Sequence, residues 1–157
     1  WDLFKQYVDV MPRNSVDGCF YRAVLNIHND SFDQAQAFIG LTRKLVDNDL
    51  TALVGESYSR AYSMMVKVQQ LAELEEIIQL KKNPQERNHI IATWNERLRG
   101  CEQNVDTWQS ILLVRSLVLK PVDNIDTLLK FATLCRKSRR LDLSYKTIVG
   151  LLGKDPS

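Results

Sequence analysis

The side chains in this 157-residue sequence that could do chemistry are few and scattered. Its two histidines, His28 and His89, lie far apart, and neither has a Cys, Asp or Glu at the spacing that holds a metal ion. Both read as ordinary surface or turn residues. Cys19, Cys101 and Cys135 are widely separated and contain no Cys-x-x-Cys pair, so they read as three reduced thiols rather than a disulfide framework or a zinc site. Ser57 sits in Gly55-Glu56-Ser57-Tyr58, which lacks the second glycine of a nucleophile elbow. Glu73, Glu75 and Glu76 bunch on a helical stretch with no facing acid, which reads as a solvated face. A glycine-rich phosphate loop and the kinase loop motifs are missing as well. The expectation is a chain with no catalytic residue, no metal ligand and no cofactor-binding residue.

Two features could still bind something. Arg136-Lys137-Ser138-Arg139-Arg140 concentrates four cations within five residues. Their guanidinium and ammonium groups could contact a phosphate-bearing or acidic partner. The simpler account is a solvated helix end, where the dipole favours cations anyway. The second feature is Glu56 and Arg60, an i,i+4 pair in the favourable order, which would fix one packing arrangement if it were buried between helices.

Something must position these groups, and the composition says what. With 45% apolar and 25% charged residues the chain can bury a substantial core. A net charge of +2, from 21 basic and 19 acidic residues, gives no field that argues for nucleic acid. The longest apolar run, Ile111 to Val114, is stopped by Arg115, so direct membrane insertion is not expected either. Pro12, Pro84, Pro121 and Pro156 all fall between periodic segments, and nothing reads as a strand.

The clearest element runs from Asp123 to Pro156. Asp123 and Asn124 can open a helix whose stripe is Leu128, Phe131, Ala132 and Cys135. A polar turn follows, then a second helix with Leu141, Ser144, Ile148 and Leu151 on its buried side. Gly153 and Pro156 mark its end. Small residues at Ala132 and Ser144, with the proline beyond, give the pattern of a tetratricopeptide-type repeat. Aligning Ala23 with Ala132 and Ala35 with Ser144, at one constant offset, relates the hairpins at 17–47 and 123–153 without a gap. The same reading places hairpins at 49–81 and 84–119, the first of these as a helix from Asp49 to Gln70, with Val54, Met65 and Val68 among the residues facing inward, and Leu71 to Leu80 as its partner. Residues 1–9 read as the second helix of a preceding hairpin. The expected fold is all-α: about eight helices stacked as antiparallel hairpins in a right-handed solenoid, a single fragment of a larger helical-repeat domain.

A stand-alone peptide-binding adaptor is the rival to a scaffold role. Such modules line the first helix of each repeat with Lys, Arg and Asn. Here those positions are Phe20, Val24 and Ile27 in the first hairpin and Leu129, Thr133 and Arg136 in the last. No carboxylate clamp is written, and an adaptor of this kind would take a helical or peptide partner in an apolar groove.

The wording of the chain carries a family resemblance along its whole length. Asp17-Gly18, Phe20-Tyr21-Arg22-Ala23-Val24-Leu25, the block Gly55-Glu56-Ser57-Tyr58-Ser59-Arg60-Ala61-Tyr62, Glu96-Arg97-Leu98 and Val114-Arg115-Ser116-Leu117-Val118 resemble the FAT domain of target-of-rapamycin-type kinases. The resemblance implies a non-catalytic helical scaffold that clamps the kinase domain of a phosphatidylinositol-3-kinase-related serine/threonine kinase in nutrient and growth signalling. It implies partners that are protein: further repeats and the kinase domain of the parent chain, and accessory subunits. ATP and magnesium would belong to that kinase domain. The implied location is cytoplasmic, with peripheral association of the parent complex with lysosomal or vacuolar membranes.

Overall fold

The computed structural model describes residues 1–53 and 58–152, and among these it contains eight α-helices and no strand. In chain order they are α1 (Asp2–Val10), α2 (Val16–His28), α3 (Phe32–Leu53), α4 (Tyr58–Lys82), α5 (Arg87–Arg99), α6 (Val105–Arg115), α7 (Ile125–Lys137) and α8 (Leu141–Leu152). Short 3-10 turns at Pro84–Glu86 and Pro121–Asn124 lead into α5 and α7. The expected all-α class is what forms, and the chain divides into two compact units, residues 1–82 and 83–157.

In the first unit α1 to α4 enclose a core of Val8, Phe20, Ala23, Val24, Ile27, Ala35, Ile39, Val46, Leu71 and Leu74. Ser15 caps α2: its Oγ accepts from the Gly18 N–H at 3.0 Å. Gly18 is required there, because a Cβ would lie 2.1 Å from the Pro12 carbonyl oxygen. Arg22 then ties α1 down. Its guanidinium donates to the carbonyls of Val8 at 3.1 Å, Met11 at 2.8 Å and Pro12 at 3.5 Å, satisfying the C-terminal end of α1. Lys81 does the same at the end of α2, donating to the Ile27 carbonyl at 3.1 Å while pairing with Asp30 at 3.0 Å.

The helix pair expected over 49–81 is corrected. α3 continues through Asp47, Asn48 and Asp49 to Leu53, and α4 runs unbroken from Tyr58 to Lys82, with no turn at residues 70–71. No glycine or proline lies at 47–53 or within α4, and the three polar residues at 47–49 are simply the exposed side of α3. The shift changes which faces are buried. Met65 is 61% exposed and Val68 40% exposed, although the periodicity had turned both inward, while Gln70 and Glu73 are buried. Glu75 also leaves the expected solvated face: its carboxylate accepts two bonds from the Arg43 guanidinium, at 2.6 and 2.9 Å, linking α4 to α3.

The second unit is built on Trp94 and Leu98 of α5, Trp108, Ile111 and Val114 of α6, and Phe131, Ala132 and Cys135 of α7. Asn104 caps α6 by accepting from the Thr107 N–H at 3.1 Å. α6 stops at Arg115, short of the expected Leu119, and the chain turns there with Leu119 buried. Asp123 opens no helix directly. Its carboxylate accepts from the Lys120 N–H at 3.0 Å and from Arg87 at 2.9 Å, which closes the 3-10 turn ahead of α7. In α8 only part of the expected stripe faces inward: Ser144 is buried, whereas Leu141 is 63% exposed.

Candidate functional site

The basic turn is the sequence-predicted site that the structure describes in full. α7 ends at Lys137, and the chain reverses through Ser138 and Arg139. The last carbonyls of α7 are taken by successive N–H groups: Ser138 to Leu134 at 3.0 Å, Arg139 to Arg136 at 3.1 Å and Arg140 to Cys135 at 2.7 Å. Closing the turn this way places Arg139 at φ 60°, in the left-handed region. All four cationic side chains are exposed. Arg140 reaches Asp106 at 3.4 Å, and Arg136, Lys137 and Arg139 have no carboxylate partner among the described residues.

Lys137 also stands at the mouth of a cleft of about 300 Å³ between α6 and α7, whose floor includes Trp108, Leu129 and Leu134. Lys130 stands at the same mouth. Sequence reading passed over Lys130 because it is isolated along the chain. The signal was its spacing, since residues seven apart on a helix stand two turns apart on one side. The arrangement offers two ammonium groups above an apolar floor.

The other candidates disperse. Glu56 lies outside the described residues, as do Val54, Ser57, Gly153 and Pro156, and Arg60 is exposed on α4. His28 stacks on Trp1 with ring centroids 3.8 Å apart, while His89 is an exposed residue of α5. No group of three or more metal-ligating side chains exists among the described residues. Burial raises the Cys19 and Cys135 thiols above their usual value, with Arg22 and Arg140 opposing the shift, so neither is an activated nucleophile. Phe20, Val24 and Ile27, expected to line an open groove, are fully inside the first unit and are already covered by its own helices.

Lys67 of α4 was not singled out by sequence and has the most unusual setting. Its Nζ lies 4.0 Å from the centre of the Phe20 ring and 3.5 Å from an Asp17 oxygen, and burial pushes its ammonium pKa down, opposed by Asp17. The group joins α4 to the first turn of α2.

Two helices also expose apolar stripes. On α1, Leu3, Tyr7 and Val10 are 80%, 60% and 79% exposed, and on α8 Leu141, Tyr145, Ile148 and Val149 form a second stripe. Both follow helical i,i+4,i+7 spacing, the pattern of a face that meets another helix. Among the described residues no helix is long and apolar enough to cross a membrane.

Comparison with known proteins gives the same architecture a family. The model of the FAT domain matches residues 1–157. The serine/threonine-protein kinase mTor of Drosophila melanogaster is 51% identical over 156 residues, covering 99% of this chain and 6% of that protein. The serine/threonine-protein kinase TOR2 of Saccharomyces cerevisiae is 48% identical over 155 residues, covering 97% of this chain and 6% of that protein. The corresponding protein tor1 of Schizosaccharomyces pombe is 44% identical over 160 residues, covering all of this chain and 7% of its own length. The chain thus spans a small part of the relatives it matches, and that part is their FAT region rather than a kinase domain. This chain belongs to the FAT domain family.

Proposed function

We propose that the chain is a non-catalytic scaffold segment of a target-of-rapamycin-type serine/threonine kinase, one that helps to clamp and regulate the kinase domain and to hold the complex together. The carrying observation is the pair of exposed apolar stripes on α1 and α8, in a chain whose FAT match covers every residue. A helix face of this composition is the kind that a second helix covers. In this reading the covering helices are further repeats of the parent chain, and the kinase domain and accessory subunits are the other partners. ATP and magnesium act in the parent's kinase domain, and the parent complex works in the cytoplasm. The basic turn at 136–140 is a solvated helix end in this account, with an acidic or phosphate-bearing partner as its functional alternative.

Amide hydrogen exchange tests the scaffold reading directly. The amides of α1 and α8 should exchange much more slowly in a full-length kinase carrying this segment than in the 157-residue chain alone. Equal exchange in both settings would remove the proposed packing partners.

A further inference from the structure

In the first unit a groove of about 480 Å³ runs between α1 and α3 with α2 at its base. Its floor is apolar, formed in part by Leu25, Phe38 and Leu41, and Leu41 remains 42% exposed although it sits on a well-packed helix. Its rim is cationic. Lys5 and Arg13 are exposed and have no carboxylate partner among the described residues. Arg22 also lines the groove and donates its hydrogen bonds to the backbone carbonyls of Val8, Met11 and Pro12. No carboxylate pairs with Arg22 among the described residues, and the dipole at the end of α1 offsets only part of its charge, so it adds to the positive character of the lining. Against these three cations the lining holds one acid, Asp9.

We propose that this groove is a docking site for a short acidic peptide segment of a protein partner, carrying a bulky apolar residue flanked by carboxylates. The apolar side chain fills the space over Leu25, Phe38 and Leu41, and the carboxylates meet Lys5 and Arg13 at the rim. The site is separate from the packing faces of the scaffold reading. At 100° per residue, Lys5, Val8 and Asp9 point to the opposite side of α1 from Leu3, Tyr7 and Val10. A helix that covers the exposed stripe of α1 therefore leaves the groove open. Asp or Glu in the partner is required, rather than apolar character alone, because a neutral peptide leaves the net positive charge of the groove unmatched.

The test is selection of a phage-displayed random dodecapeptide library on the 157-residue chain, followed by anisotropy titration of the enriched peptides made with a fluorescein label. Enriched sequences should carry at least two Asp or Glu around a Leu, Ile or Phe. Their affinity should fall by about tenfold or more in a Lys5→Glu/Arg13→Glu variant and with added salt. Both substituted residues are exposed, so an unchanged thermal midpoint shows that the variant is folded. Leu41→Asp removes the apolar floor without touching the rim cations and should weaken binding independently. Failure to enrich any family of sequences, or enrichment of peptides that bind the charge-reversed variant equally well, would overturn the proposal while leaving the scaffold reading untouched.

Discussion

Ser144 of α8 donates its hydroxyl to the backbone carbonyl of Ala132 of α7 across 2.9 Å, and both residues are buried. A hydroxyl one carbon from the main chain reaches a facing helix's carbonyl only where both side chains are small. The bond thus reports the close approach for which the repeat pattern selects small residues at these two positions.

Removing that hydroxyl, as in Ser144→Ala, should lower unfolding free energy by about 1 kcal/mol, the usual net worth of a buried hydrogen bond. Ala132→Phe should do more, roughly 1–3 kcal/mol, by forcing the two helices apart. Lys120→Ala, on the surface, should have almost no effect. Urea unfolding of the three variants checks the order.

Arg139 holds φ at 60°, where a side chain is strained and glycine is not. Arg139→Gly should raise stability by about 0.5–1 kcal/mol, and Arg139→Val should lower it. The same turn tests the basic cluster. Arg139→Ser with Arg140→Ser should change stability by only a few tenths of a kcal/mol, because the Arg140–Asp106 pair is exposed. In a full-length kinase the double variant should assemble normally. A salt-dependent loss of a subunit would instead assign the turn to an acidic or phosphate-bearing partner.

Lys67 gives the stability a pH dependence whose sign follows from its lowered pKa. In the unfolded chain the amine titrates near its usual 10.5, and in the folded chain it titrates below that. Between the two values the unfolded state binds more protons, so folding becomes more favourable as pH rises. The cost of burying the charge is fully present below the folded value and is relieved as pH rises through it toward 10.5. Wild type should therefore gain stability relative to Lys67→Met as pH is raised from neutral, measured by urea unfolding at each pH.

The helical class and the first and last hairpins were legible because each rests on local signals: periodicity, small residues and polar turns between helices. The middle of the chain was not. At Asp47-Asn48-Asp49 a polar triplet imitates a turn, yet without a glycine or proline to break it the helix continues to Leu53. Reading a turn there displaced the register of α4, which is why Met65 was expected inside and Glu73 outside. The Arg43–Glu75 and Lys67–Asp17 pairs and the cleft at Lys130 depend on residues brought together from different helices. One-dimensional spacing carries no record of such meetings. The basic turn was visible as composition, but its closure through Arg139 in the left-handed region was not.

The central claim is that α8 presents a face meant for another part of a larger kinase. Leu141→Glu with Tyr145→Glu tests it most directly, because both side chains are mainly exposed, at 63% and 70%. In the 157-residue chain the double substitution should leave the thermal midpoint nearly unchanged. In a full-length kinase carrying this segment, the same substitutions bury two carboxylates in an apolar contact and should sharply reduce both intact complex on gel filtration and kinase activity. Normal assembly and activity of that variant would contradict the scaffold account.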